Sequence, residues 1–173
     1  MAIHTSIVTA LLTAGLFSFQ IASFKGDFAQ PTEPKFTELA PEDISRLDKQ
    51  RAVVASAAKQ RYKTSELTKT KSDLPTLQRL IDDKAFNRAQ TYELQSLGIV
   101  FGDVLASELP LRWVMVTDEY GTDPTLRFKA TTIQINALTM ISKRVERDER
   151  VNLSELLRIT REQLGSLEKE LAK

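Results

Sequence analysis

Three carboxylates cluster around one glycine: Asp118, Glu119 and Asp123 flank Gly121 in the run DEYGTDP. Carboxylates so grouped could act as a general acid–base pair or, with Thr122, ligate a hard cation from a tight turn. The run lacks the D-x-[DN]-x-[DN]-G spacing of a calcium loop and its distal glutamate, so the reading is a hairpin turn with solvated carboxylates and no metal. Serine–lysine chemistry has two matches, Ser56-x-x-Lys59 and Ser166-x-x-Lys169. Two hits in one short chain show how undemanding the pattern is, and the companion S-D-N and K-T-G elements are missing. The one histidine is His4, and there is no cysteine. A chain cleaved after residue 24 would therefore hold neither a Cys–His pair, nor a Ser-His-Asp triad, nor an ordinary zinc site. No Gly-rich phosphate loop occurs. No catalytic, cofactor-binding or metal-binding residue is assigned.

These residues need elements to position them. Leu94, Leu97, Phe101, Val104 and Leu105 recur at helical spacing, with Gly98, Gly102 and Ala106 forming a second stripe four residues apart. A glycine inside a helix costs about 1 kcal/mol against alanine, so two predict a close approach, with the following hairpin as the expected neighbour. Glu93, Gln95, Asp103 and Glu108 exclude the alternative, a membrane dimerisation helix. Pro110 ends the helix. LRWVMVTD is then a well-buried strand with Trp113 and Met115 on one side and Val114 and Val116 on the other. Asp118 to Pro124 reads as turn, with positive φ at Gly121. Thr125 to Asn136 returns as strand, bent or broken at Thr131-Thr132.

Around this unit the chain divides simply. Residues 1–24 contain no Lys, Arg, Asp or Glu, and Ile7 to Phe24 is largely apolar, as in a signal peptide or an N-terminal anchor. No basic n-region or clean small-x-small cleavage site accompanies it, so the anchor stays open. Residues 25–40 read as a proline-bearing linker. Residues 41–173 form one domain. Pro41 opens a helix to about Tyr62, with Ile44, Leu47, Val54, Ala55 and Ala58 inward. Lys59 to Lys71 is polar and basic, a solvated helix end and loop. Ser72 or Asp73 caps a short helix carrying Pro75, Leu77, Leu80 and Ile81. Asn136 caps a helix that ends in the alternating charges Lys143 to Arg150. Asn152 caps the last helix in a capping-box pattern with Glu155, and its leucine stripe packs on the domain.

The expected fold class is α+β: a small antiparallel β-hairpin or three-stranded sheet packed with about four helices, behind an N-terminal apolar export helix. The formal charge of +1 gives no electrostatic case for nucleic acid.

The second half resembles a bacterial domain-of-unknown-function family, the one numbered thirty-eight-oh-six. The resemblance rests on Leu97, Gly98 and Gly102 in LG-x-x-x-G, on Trp113 in the next strand, on Asp118, Glu119 and Gly121 in the turn, and on the pair Lys143-Arg144. It implies no activity, cofactor or catalytic residue, and it leaves out the apolar segment and the first helix.

The resulting expectation is an exported, periplasmic or secreted, non-catalytic protein that binds a protein or small ligand in the cell envelope. Alternatives are an assembly component tethered to the inner membrane through residues 1–24, and a carboxylate-based hydrolase using Asp118, Glu119 and Asp123. The candidate functional surface is Asp118, Glu119, Asp123, Lys143 and Arg144. Gly98, Gly102, Trp113 and Gly121 are expected to be structural.

Overall fold

The computed structural model describes residues 33–63 and 66–171, and the expected export helix lies outside them. The elements are β1 (Lys35–Thr37), α1 (Pro41–Tyr62), α2 (Leu74–Asp82, entered through a 3-10 turn at Lys71–Asp73), α3 (Thr91–Glu108), β2 (Leu111–Asp118), β3 (Gly121–Phe128), β4 (Gln134–Ile135), α4 (Ala137–Glu146) and α5 (Leu153–Leu171). The class is α+β. The sheet has four antiparallel strands in the order β1-β2-β3-β4, rather than two or three, and five α-helices are described. The extra strand, β1, lies in the stretch read as linker, where its three residues pair with Met115 to Thr117. A strand so short carries too little pattern to be read from sequence.

Helix α3 is the centre. Every residue from Ser96 to Leu105 is buried, as is Leu94. Its glycines explain why neighbours come so close. A Cβ on Gly98 would lie 2.6 Å from the Leu138 carbonyl oxygen, at the start of α4. A Cβ on Gly102 would lie 2.9 Å from Cη2 of the Trp113 ring. The backbone against Gly98 is thus that of α4, not of the hairpin; the hairpin covers Gly102 with an indole ring. Leu111, Trp113, Leu126, Phe128 and Ile135 share the sheet face that packs on this core.

The hairpin is tighter than the sequence suggests. Asp118 pairs with Gly121, so only Glu119 and Tyr120 form the tip, and Gly121 to Pro124 belong to β3. Gly121 adopts φ 131°, a region L side chains rarely reach. Pro124 stands opposite Met115. Counting pairs from Asp118–Gly121 places it in a non-hydrogen-bonded pair, so its missing N–H costs β2 nothing. β3 and β4 are separate strands joined by a turn in which Lys129 has φ 51°.

Helix α1 runs over the expected residues. Asp43 accepts from the Ala40 N–H at 3.1 Å, and Leu47, Gln50, Val54 and Ala58 are buried. Ile44, expected inward, is 46 % exposed. Asp73 does not cap α2 with its side chain. Its carboxylate accepts from the backbone N–H groups of Thr68 (2.9 Å) and Lys69 (2.7 Å), closing the loop before the helix. Asn152 caps α5 through the Glu155 N–H at 3.0 Å, while the Glu155 carboxylate turns to Arg158 instead of completing the box.

Candidate functional site

The structure separates the candidate surface into two places. Asp118 is the last residue of β2, next to the hairpin tip, where its Oδ1 accepts from the Tyr120 N–H at 2.8 Å; Glu119 and Asp123 are exposed. Strand register puts Asp118 and Asp123 on one hairpin face as diagonal neighbours. Neither lines any cavity described below. Lys143 and Arg144 lie on α4, along a shallow depression with Arg147 and Glu149, and Arg144 donates to its own helix at the Met140 carbonyl (2.6 Å). No hydrogen bond or ion pair joins the two groups among the described residues. Nor is there a cluster of three metal-ligating side chains among those residues. None of the described helices is long and apolar enough to cross a membrane.

A different constellation is built into the core. Asp103, 6 % exposed, accepts two bonds from one guanidinium: Arg51 Nε to Oδ2 and Arg51 Nη2 to Oδ1, each at 2.7 Å. Trp113 Nε1 also donates to Oδ1, at 2.9 Å, and Arg51 Nη1 reaches Asp48 at 2.9 Å. One carboxylate on α3 therefore ties α1 and β2 to the central helix. The close seat of the Trp113 ring on Gly102 is what lets its N–H reach Asp103. The hydrogen bond to Asp103 holds the Arg51 guanidinium above its usual range, outweighing the opposing effect of burial, with smaller Coulombic help from the same carboxylate. Beside this pair lies a cavity of about 260 Å³ that also takes in Glu66, Leu67 and Lys69. In sequence Asp103 served only to exclude a membrane helix. The available signal was a carboxylate directly after Gly102 in an otherwise apolar run. Arg51 carried no signal, because its partner lies 52 residues away.

A larger cavity, about 360 Å³, opens between the ends of α2 and α4 and the first half of α3. Leu80, Ile81, Phe86, Leu94, Leu97 and Val151 give it an apolar floor. Its rim is charged: Asp82, Lys84 and Arg88 come from the end of α2 and the loop after it, and Asp148, Glu149 and Arg150 from the loop after α4. Both helices close in the same way. At the end of α2 the Ala85 N–H donates to Leu80 O (2.8 Å) and the Lys84 N–H to Ile81 O (3.0 Å); at the end of α4 the Glu149 N–H donates to Arg144 O (2.8 Å) and the Asp148 N–H to Val145 O (3.1 Å). These are Schellman turns, and the left-handed position is filled by Lys84 (φ 48°) and Asp148 (φ 61°) rather than glycine. Each costs about 1 kcal/mol, and each puts a charged side chain at the cavity mouth. Arg88 and Asp148 meet across it at 3.0 Å, both well exposed, so the pair adds little stability.

Residues 73–156 match the sequence profile of the family described as "Domain of unknown function (DUF3806)", over the part of the chain where the resemblance was read. That segment holds Asp103, Trp113 and most of the larger cavity, but not Arg51. No curated protein matches the chain. A crystal structure from Bacteroides thetaiotaomicron is similar in fold: TM-score 0.66 at 18 % identity, covering 75 % of this chain and 47 % of that one. The chain thus spans about half the length of that protein, and the likeness concerns the fold.

Proposed function

We propose that this chain is a non-catalytic binding protein of the bacterial cell envelope, with its ligand seated in the cavity between α2, α3 and α4. The observation that carries the reading is the cavity itself: an apolar floor under a charged rim, at about 360 Å³, lies in the size range of small-molecule sites. From Lys25 onward the sequence has neither histidine nor cysteine, which takes away the commonest nucleophile–base pairs and favours binding over turnover. Export rests on the uncharged, largely apolar residues 1–24.

An uncharged apolar dye small enough for the cavity, 1-naphthylamine, tests it. It should bind the wild type with enhanced fluorescence. Replacing Ile81 with Trp, which fills the cavity from its half-buried edge, should abolish binding at an unchanged melting temperature. Equal binding by the filled variant would sink the reading. Fractionation of the native bacterium tests location: recovery of the full-length chain in the cytoplasm would remove the envelope assignment.

A further inference from the structure

We infer that the ligand of this cavity is a single-chain amphipathic anion of the fatty-carboxylate kind, its tail on the apolar floor and its head held by Lys84 and Arg150. The inference rests on the binding reading above and adds the ligand class. Size comes first. At about 30 Å³ per water-sized group, the cavity of about 360 Å³ holds about a dozen non-hydrogen atoms.

The charge on the rim comes second. The cavity is bordered by three cations and three carboxylates, but they are not equally free. Asp148 is paired with Arg88 at 3.0 Å, Glu149 lies 3.9 Å from Arg147, and Asp82 accepts from the Gln78 amide at 2.9 Å. Lys84 and Arg150 make no ion pair or side-chain hydrogen bond among the described residues. Nor are they used to cap the helices whose ends they adjoin, because those carbonyls are satisfied by the backbone turns. The Gln78 amide is neutral and leaves the Asp82 charge in place, so with Arg147 set against Glu149 the charge left over at the mouth is Lys84 and Arg150 against Asp82, a positive balance. The two free cations come to the cavity from different elements, Lys84 from the end of α2 and Arg150 from the α4–α5 connection. An anionic head group is what such a pair would recognise, above a floor that takes hydrocarbon.

Decanoate, with twelve non-hydrogen atoms, is the probe, titrated calorimetrically below its micelle concentration against 1-decanol and decylammonium. Decanoate should bind at least tenfold tighter than 1-decanol, and decylammonium more weakly than either. The double variant Lys84→Gln/Arg150→Gln changes only exposed side chains and should keep its fold. It should lose the preference for decanoate while binding 1-decanol as before. Equal binding of decanoate and 1-decanol, a preference for decylammonium, or a preference that survives in the double variant would each overturn the anion assignment and leave the cavity reading standing. Failure of both decanoate and 1-decanol to bind would bring down the two together.

Discussion

Removing the Arg51 side chain should be among the most costly single changes in the described part of the molecule. Arg51→Ala deletes two of the three hydrogen bonds that the described residues make to the Asp103 carboxylate and leaves, among them, the Trp113 N–H. A buried charge stripped of its partner costs about 3–5 kcal/mol. The Arg51 side chain is 16 % exposed and Asp103 6 %, so solvent screening reduces this little. The adjoining cavity of about 260 Å³ can admit water to the orphaned carboxylate, which places the expectation near the lower end, at about 3 kcal/mol. For a chain of this size that lowers the melting temperature by about 6–12 °C. The assay is urea unfolding followed by fluorescence, for which Trp113, the only tryptophan, reports on the network itself. A double-mutant cycle completes it. Arg51→Met/Asp103→Leu replaces both charges with apolar side chains and should cost clearly less than the sum of the single changes. A cost below about 1 kcal/mol for Arg51→Ala, or additive single changes, would refute the argument, because the pair would then behave as a screened surface contact.

The glycines separate space from backbone strain. Gly98→Ala should destabilise by about 1–3 kcal/mol despite its better helix propensity, because the added methyl would press on the α4 carbonyls. Gly165→Ala in α5 meets no atom within 4 Å and should stabilise by about 0.5–1 kcal/mol; chemical denaturation measures both. Gly121→Ala also has open space, but φ 131° is hostile to a side chain, so it should cost about 1–3 kcal/mol without any clash. Tyr62 has its phenol pKa raised above 10.0, by burial first and then by its bond to Asp83 at 2.7 Å. The folded state therefore favours the protonated phenol. Its contribution is fully present below the ordinary tyrosine pKa and is lost as pH rises through the folded value. Stability should fall more steeply above pH 10 in the wild type than in Tyr62→Phe, read by denaturation at stepped alkaline pH.

The sequence by itself determined the class, the order of the main helices and the central role of α3. Periodic apolar faces and capping residues act over a few positions, and Pro41, Pro110, Asn136 and Asn152 therefore marked boundaries that the fold respects. It also marked Gly98 and Gly102 as points of close packing, since two helix glycines need a neighbour. Only the tertiary structure decided what those neighbours are. The α4 backbone against Gly98 and the indole against Gly102 come from 39 and 11 positions away, a separation no local pattern encodes. The same holds for the sites. Asp118, Glu119 and Asp123 are adjacent in sequence, and grouping them with Lys143 and Arg144 joined two places that the fold leaves unconnected by any described contact. Arg51, Asp103 and Trp113 looked unrelated and form one buried network. Arg150 read as the end of an alternating charge run, and Lys84 drew no reading at all. They share a cavity because α2 and α4 happen to end side by side over α3, an outcome fixed by how three apolar faces pack together and not by the residues next to either cation.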